Sequence, residues 1–315
     1  MGEIETVIRA QALRVDYDDV TAVRDMDLVI GAGEIYGLIG PNGAGKTSTI
    51  KALAGVLEPT YGEVTLAGVD ALEHPEEAHR RLGYMPDFAP LYDDLKVWEY
   101  LDVFAMAYAL PRPRRKERMD YCIELARLQD KRDGLVRELS RGMRQRLALA
   151  KTLLHAPDIL LLDEPASGLD PIGRVEMRHI LTDLARGGAA VLISSHILTE
   201  LSEFCTSMGI MEKGRLVITG TIDSILTEIG SRGVLHVRAA APHPAMAEIL
   251  SGAEFLTQVE VKDDGTAQAL VRGDDRDLGK LLARLIGAGV EVTSFHVEKE
   301  DIEDIFLKIG AKEVS

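Results

Sequence analysis

The segment Gly40–Thr47, with the sequence GPNGAGKT, has the residue types and the spacing of a loop that binds phosphate. Its glycines allow the backbone to wrap closely around an anion, so that successive N–H groups point at phosphate oxygens. Lys46 adds a positive charge near the β- and γ-phosphates, and the Thr47 hydroxyl is a ligand for Mg²⁺. An ordinary glycine turn is the alternative, but a strand pattern before the loop and a helix pattern after it favour a site for a nucleoside triphosphate. The residues expected to contact the nucleotide are Gly40, Pro41, Asn42, Gly43, Ala44, Gly45, Lys46, Thr47 and Ser48.

Two acidic residues, Asp163 and Glu164, follow the apolar run Ile159–Leu162. Such a run is typical of a buried parallel strand, and the carboxyl ends of these strands are where open α/β sheets bind ligands. At that position Asp163 can hold the shell of a Mg²⁺ ion through water, and Glu164 can accept a proton from an attacking water. The alternative, a pair that caps a helix after a strand, is less consistent with Lys46 and Thr47 in the same chain.

Alternating strands and helices are expected to position these two motifs. The strand Ile35–Ile39 precedes the phosphate loop, a helix from about Lys46 to Ala54 follows it, and the alternation resumes after Pro157. This order predicts a mostly parallel sheet with covering helices. Residues 97–155 have a helical pattern instead, so we expect a helical block, about residues 88–156, inserted into the α/β domain.

Both ends of the chain differ from this central pattern. Short bursts of Val, Leu and Ile in residues 6–30 predict β structure, which we expect to form an antiparallel subdomain. After a linker expected at residues 230–233, the predicted order is βαββαβ with a closing helix at 302–309, which is typical of a small ferredoxin-like α+β domain. The sequence therefore predicts two domains, 1–229 and 231–315.

The charge and composition narrow the classes of partner. The chain has 315 residues, and 36 Lys and Arg against 51 Asp and Glu give a net charge of −15. A protein that coats nucleic acid needs a basic face, so no nucleic-acid partner is expected. No apolar run approaches the roughly 18 residues of a membrane span, and the first residues lack the order of a secretory signal. Two cysteines without metal-binding spacing complete the pattern of a cytoplasmic protein with reduced thiols.

The segment Leu139–Arg146, with the sequence LSRGMRQR, resembles the signature motif of ABC ATPases. Other motifs of that family occur in the family's order. Tyr17 stands where the aromatic residue that stacks on adenine is expected, and Gly83–Asp87 occupies the position of the Q-loop. Ser167–Asp170 resembles the D-loop, and His196 resembles the switch histidine. The resemblance covers residues 6 to 229, and the LSxGMxQR form together with residues 301–308 is similar to the drug, sodium and polysaccharide exporter branch.

The resemblance implies the fold, the cofactors and the roles of the site residues. The fold would be a P-loop ABC ATPase domain with an antiparallel β subdomain and an inserted helical subdomain, and the cofactors would be ATP and Mg²⁺. The catalytic residues would be Glu164, His196 and Lys46, and the metal would be held by Thr47, Asp87 and Asp163. The chain has one phosphate loop and one signature motif, so ATP would join two copies into a homodimer. The other nucleotide contacts implied are Tyr17 and, from the signature motif and D-loop, Ser140, Gly142 and Asp170.

Three residues depart from the family pattern. Asp87 replaces the usual Gln of the Q-loop, Arg141 replaces the first Gly of the signature motif, and Met143 replaces its terminal Gln. Asp87 is shorter than Gln and charged, so we expect it to reach Mg²⁺ through water or to signal to a partner. Ser140 and Gly142, which would contact the γ-phosphate, are retained.

The function implied is that of an ATP-hydrolysing subunit that drives a separate integral-membrane permease, with export suggested by the branch. The chain would lie on the cytoplasmic face of the membrane through that permease. One alternative is a soluble ABC ATPase of translation or DNA repair, but the second cassette or long coiled coil of such proteins is not seen in the sequence. Another alternative is a nucleotide-gated scaffold with little ATP turnover. The presence of Glu164 and His196 argues against it.

Overall fold

A computed structural model describes residues 6–197, 201–222, 224–225, 233–271 and 275–298 of the chain. The chain divides into two compact units, Met1–Gly220 and Thr221–Ser315. Residues 230–232 of the linker predicted at 230–233, and the closing helix predicted at 302–309, lie outside the described residues. Among the residues that the structure covers, no helix is long and apolar enough to cross a membrane.

The first unit combines two sheets with a block of helices. From Thr6 to Thr221 the elements are, in chain order, β1 (Thr6–Tyr17), β2 (Val20–Gly31), β3 (Ile35–Ile39), α1 (Lys46–Leu53), β4 (Tyr61–Leu66), β5 (Val69–Asp70), α2 (Pro75–His79), β6 (Leu82–Met85), α3 (Val97–Ala107), α4 (Arg112–Leu125), α5 (Arg141–Thr152), β7 (Ile159–Leu162), α6 (Pro171–Arg186), β8 (Ala190–Ser195), β9 (Ser207–Glu212) and β10 (Arg215–Thr221).

The larger sheet has the strand order β10-β9-β3-β8-β7-β6, with parallel pairing from β9 to β6. Every residue of β3, β7 and β8 is buried, as expected for a sheet covered on both faces. Because β8 lies between β3 and β7, the segments that follow these three strands leave the same edge of the sheet side by side. The register pairs Ile39 with Ser195 and Leu162 with Ile193, which places Gly40 near His196 and Asp163 near Ser194.

The smaller sheet is antiparallel, with the strand order β2-β1-β4-β5, as the sequence predicts for this region. One hydrophobic core joins it to the parallel sheet. The buried residues Ile8 and Met26 of the antiparallel sheet belong to the same cluster as Ile50 of α1 and Leu161 of β7. The phosphate loop between β3 and α1 is therefore built on two sheets that share one core.

The inserted block contains α3, α4 and α5, within the range that the sequence predicts. Pro113 lies in the first turn of α4, where its missing N–H costs no hydrogen bond, so the helix that begins at Arg112 can include the proline. Arg118 of α4 donates hydrogen bonds to the carbonyls of Leu153, at 2.6 Å, and Leu154, at 3.1 Å, just beyond the end of α5. These bonds satisfy carbonyls that a helix C-terminus leaves without partners, and they tie α4 to α5.

The second unit has the predicted βαββαβ order. Its elements are β11 (Val234–Ala239), α7 (Pro244–Ser251), β12 (Leu256–Val261), β13 (Thr266–Val271), α8 (Asp275–Gly287) and β14 (Val292–Glu298), and the antiparallel sheet has the order β12-β13-β11-β14. Its core is separate from that of the first unit, and it includes Leu235, Val237, Met246, Leu250, Leu281 and Leu285.

Both cysteines are buried thiols, as the composition indicates. Burial raises the pKa of Cys122 to about 11. The side chain of Cys205 fills space beside Gly37 of β3. Both residues therefore act as small apolar groups of the core.

Candidate nucleotide site

The phosphate loop needs glycine at two positions because backbone from other elements packs against it. A side chain at Gly40 would collide with the carbonyl of Met211, and a side chain at Gly45 would collide with the carbonyl of Ala22. Gly45 also has a φ of +108°, a conformation that L side chains rarely adopt. Within the described residues no side chain caps the N-terminus of α1, so the N–H groups of its first turn are available to an anion.

Lys46 is 6% exposed and closes the loop on itself. Its Nζ donates hydrogen bonds to the carbonyls of Gly40, at 2.7 Å, and Pro41, at 3.3 Å, and lies 3.7 Å from Oε1 of Glu164. Burial lowers the pKa of Lys46, and the carboxylates of Glu164 and Asp163 oppose that shift. The ammonium group is thus held between the loop and the acidic residues after β7.

Asp163 is 1% exposed and has two hydroxyl partners. Its Oδ1 accepts hydrogen bonds from Ser194, at 2.6 Å, and from Thr47, at 3.3 Å. The hydroxyl of Ser194 also accepts a hydrogen bond from the N–H of Glu164, at 3.0 Å. Ser194 therefore holds both acidic residues, which sequence reasoning missed. The available signal was a pair of serines at the end of an otherwise apolar strand.

The residues around Asp163 fit a magnesium ion. Thr47 and Asp163 bring a hydroxyl and a carboxylate oxygen within 3.3 Å of each other, and Mg²⁺ prefers oxygen ligands of this kind. Asp87 lines the cavity that Thr47 also lines. Within the described residues, its carboxylate forms no hydrogen bond with Thr47 or Asp163. Burial raises the pKa of Asp87, and the charges of Asp163 and Glu164 raise it further, while Arg141 and His196 oppose the shift.

Glu164 is held from both sides. Its Oε2 lies 2.8 Å from Nδ1 of His196, and its Oε1 faces Lys46. The residue has a φ of +47°, a strained conformation for a side chain of this size, and strain of this kind is concentrated at functional sites. His196 is half exposed. The carboxylate of Glu164 can accept a proton from a water molecule bound near it. Lys46 and His196 hold that carboxylate in one orientation.

A cavity of about 510 Å³ opens over these groups, within the size range of small-molecule sites. Tyr17 lies at its edge, where its hydroxyl accepts a long hydrogen bond of 3.4 Å from Ser48. The described residues that line the cavity are Tyr17, Ala22, Asn42, Gly43, Ala44, Gly45, Lys46, Thr47, Ser48, Asp87, Glu164, Ser167 and His196.

Ser140, Gly142 and Asp170 are described residues that do not line this cavity. Two of them cap helices within their own copy. The Ser140 side chain accepts a hydrogen bond from the N–H of Met143 at the start of α5, and Asp170 accepts one from the N–H of Gly173 at the start of α6. That these three residues contact the ATP of a second copy stays a prediction.

Comparisons with known proteins agree with this architecture. Residues 23–167 match the family model described as ABC transporter. The chain is 33% identical to the Nod factor export ATP-binding protein I of Cupriavidus metallidurans, over 98% of each chain. The chain belongs to this family. It is also 32% identical to the bacitracin transport ATP-binding protein BcrA of Bacillus licheniformis, over 97% of this chain and 98% of that protein. A solved structure of an ATP-binding subunit of an ABC transporter has a TM-score of 0.66 at 31% identity, over 71% of this chain and 94% of that one.

As an ABC transporter ATP-binding protein, the chain is an ATPase whose cofactors are ATP and Mg²⁺. The predictions of the family, of the P-loop ABC ATPase fold and of ATP hydrolysis are therefore confirmed.

Proposed function

We propose that this ABC ATPase powers export through a separate integral-membrane permease and lies at the cytoplasmic face of the membrane through that permease. The observation that carries the catalytic part is the network in which Lys46 and His196 both approach the carboxylate of Glu164 at the floor of the cavity. The two relatives named above act in export and in transport, which supports the coupling to a permease. The printed roles of these two relatives also argue against a non-transport ATPase or a nucleotide-gated scaffold.

The residues of the site have distinct roles in this proposal. The N–H groups of the loop and Lys46 bind the β- and γ-phosphates, and Tyr17 contacts the adenine. Thr47 and Asp163 would hold Mg²⁺, with Asp87 through water, and the ion supplies charge neutralisation of the phosphates when bound. Glu164 takes a proton from water as the water oxygen attacks the γ-phosphorus and the bond to the bridging oxygen of ADP breaks. His196 keeps the carboxylate of Glu164 in the required orientation.

Two copies of the chain complete the site. Ser140 and Gly142 lie at the N-terminus of α5, where the helix dipole favours a negatively charged group, whereas Asp170 already supplies a carboxylate to the N-terminus of α6 and is proposed only as a further contact of the second copy. One copy offers these groups outside its own cavity, so a second copy can present them to the γ-phosphate. The proposed active unit is therefore an ATP-dependent homodimer.

The first prediction concerns Glu164→Gln, which keeps the shape of the side chain and removes the base. We expect ATP hydrolysis to fall by about 10²- to 10⁴-fold, while binding of a fluorescent ATP analogue with Mg²⁺ stays within a fewfold. Glu63→Gln, at an exposed position of β4, is the matched control and should be as active as the wild type. Turnover close to that of the wild type in Glu164→Gln would contradict the assignment of the base.

Coupling to transport needs a separate measurement. The membrane protein that co-purifies with the chain would be reconstituted in lipid vesicles with it, and phosphate release would be followed with and without that membrane protein. We expect the membrane protein to raise the rate of hydrolysis. The same rate in both preparations would argue for an ATPase that acts without a permease.

A further inference from the structure

Glu176 of α6 joins two arginines that belong to different segments of the helical block. Its Oε1 accepts a hydrogen bond of 2.7 Å from Nη1 of Arg127, and its Oε2 lies 3.0 Å from Nη1 of Arg146. Arg146 belongs to α5, whereas Arg127 follows the end of α4. The side chains of Glu176 and Arg146 are only 15% and 13% exposed, and that of Arg127 is 55% exposed. One carboxylate therefore connects α6 to both α4 and α5.

The ion pair between Glu176 and Arg146 contributes a fixed geometry more than it contributes stability. Removing two charges from water costs about as much free energy as their attraction returns, so an apolar pair of similar size would stabilise the fold at least as well. A planar guanidinium against a carboxylate does, however, fix a distance and a direction. Nη1 of Arg146 also donates a hydrogen bond to the carbonyl of Ala126, at 3.1 Å, so the guanidinium is held from two sides.

The two charged groups stand at the same height on their helices. Arg146 lies six residues after Ser140, the N-cap of α5, and Glu176 lies six residues after Asp170, the N-cap of α6. At a rise of 1.5 Å per residue, each is about 9 Å from its N-cap. The ion pair therefore links α5 and α6 at equal distances from the two ends that are proposed to meet the nucleotide of a second copy.

Nearer these ends, α5 meets the segment before α6 through packing contacts. A hydrogen-bonded turn at residues 164–169 precedes α6. A side chain at Gly168 of this turn would collide with the guanidinium of Arg141, and a Cβ atom at Gly142 would be 3.4 Å from Cδ2 of Leu169. Apolar packing is non-directional, so it does not by itself fix how far one helix stands along the other. The ion pair supplies that restraint.

We propose that Glu176 is a positioning residue for ATP hydrolysis by two copies of the chain: through Arg146 it sets the separation between the N-termini of α5 and α6. That separation lets Ser140 and Asp170 of one copy reach the nucleotide site of the other copy together. Arg127 is the second partner of the carboxylate and holds the end of α4. The proposal rests on the proposed function, because the separation matters for hydrolysis only if a second copy uses these helix ends.

The variants Arg146→Met and Arg127→Met test this role in the Glu164→Gln background, in which the dimer is expected to accumulate. Each variant removes one arginine and leaves Glu176 with the other, so the carboxylate keeps a counter-charge in both. We expect Arg146→Met to weaken the MgATP-dependent dimer by about tenfold or more, measured by light scattering against protein concentration. Arg127→Met, the matched control, should change the dimer by less than about twofold, because α5 and α6 stay joined.

Two further readouts separate positioning from a general loss of structure. In both variants the Tm of the nucleotide-free chain should stay within about 2 °C of that of the parent chain, and the affinity for a fluorescent ATP analogue within about twofold. Arg146→Lys keeps the positive charge beside Glu176, so its dimer should be within about threefold of that of the parent chain. A dimer of unchanged stability in Arg146→Met, or a loss in both variants that follows their Tm, would overturn the proposal.

A distance measurement without ATP keeps this proposal separate from the proposed function. Glu138→Cys, just before α5, and Ile172→Cys, in the first turn of α6, place two spin labels at exposed positions beside the helix ends. Cys122 and Cys205 are buried, so labelling at neutral pH spares them. Electron paramagnetic resonance then gives the distance between the labels in the nucleotide-free chain.

In this measurement Arg146→Met should shift or broaden the distance between the labels, and Arg127→Met should leave it unchanged. An unchanged distance in Arg146→Met would overturn the positioning role. If Glu164→Gln formed no dimer with MgATP, the proposed two-copy site would fail, while the distance comparison still decided whether Glu176 sets the separation of the two helices.

Discussion

Glu164 has a backbone conformation that glutamate rarely adopts, and the cost is about 1–2 kcal/mol. The conformation turns the chain sharply after β7, so that the side chain stands between Lys46 and His196. The N–H of the same residue is held by Ser194. The surrounding contacts therefore over-determine one orientation of the carboxylate, which is what a general base requires.

The hydrogen bond from His196 to Glu164 gives the second prediction. His196→Ala leaves the carboxylate held by Lys46 alone, so we expect kcat for MgATP to fall by about 10²-fold or more. KM should stay within a fewfold because the phosphate loop is unchanged. His179→Ala, at an exposed position of α6, should have no such effect. Equal losses in kcat and in ATP affinity would indicate that His196 binds nucleotide rather than orienting the base.

The raised pKa of Asp87 gives the third prediction, on stability against pH. Because the pKa is higher in the folded chain than in the unfolded one, the charged side chain destabilises the folded state at pH 7. That cost disappears as the pH falls through the folded pKa towards the ordinary range of a carboxyl group. We expect Asp87→Asn to raise the Tm of the nucleotide-free chain at pH 7, with a gain that shrinks towards pH 4.5.

Thermal unfolding of wild type and Asp87→Asn between pH 4.5 and 8 checks this. Asp133→Asn, at an exposed position, is the matched control. A gain that grew as the pH fell would contradict the direction of the shift.

Among the elements, α8 shows where sequence patterns fall short. The apolar pattern predicts that Leu282 and Ile286 face the core, but the buried residues are Leu281 and Leu285, and Ile286 is 59% exposed. Leu281 and Leu282 are adjacent apolar residues, and so are Leu285 and Ile286. The predicted buried face is therefore shifted by one residue along the helix. Leu281 and Leu285 belong to the same buried cluster as Ala267 and Ala269 of β13.

This phase gives the fourth prediction. Leu285→Ala should destabilise the second unit by about 2–5 kcal/mol, the usual cost of truncating a buried leucine. Ile286→Ala should change stability by less than about 0.5 kcal/mol, because the side chain is largely in solvent. Urea unfolding of the full chain, followed at the transition of the second unit, compares the two. A larger loss of stability in Ile286→Ala than in Leu285→Ala would support the buried face predicted from the sequence.

The parts of the fold and site that the sequence predicts are those with a local cause. The phosphate loop is predicted from its own residue types and their spacing. The buried parallel strands are predicted from short runs such as Ile159–Leu162, in which both faces are apolar. The contact of Ser194 with Asp163 depends on the register of β8 against β7, and that of Arg141 with Gly168 depends on the packing of α5 against a distant turn. Neither the register nor the packing is encoded in a short segment.

At the scale of the whole molecule, the fifth prediction is dimerisation. In Glu164→Gln with saturating MgATP, light scattering should show twice the mass of the nucleotide-free chain, because bound ATP supplies negative charge to the N-terminus of α5 of the other copy. Ser140→Ala should weaken the dimer at least tenfold.

Asp70→Ala is the control for the loss of a capping group, since Asp70 accepts hydrogen bonds from the N–H groups of Leu72 and Glu73 far from these helix ends. A monomer at saturating MgATP in Glu164→Gln would contradict the two-copy site.

The fastening of α5 by Arg118 has a mechanical consequence. The helix has 12 residues and is thus about 18 Å long, with its far end tied to α4 and its near end carrying Ser140 and Arg141. Because the C-terminal end of α5 is bonded to α4, a tilt of α4 would move the N-terminal end of α5 relative to the turn after Glu164. Force applied to the helical block from outside would thus reach the turn that follows Glu164 through α5.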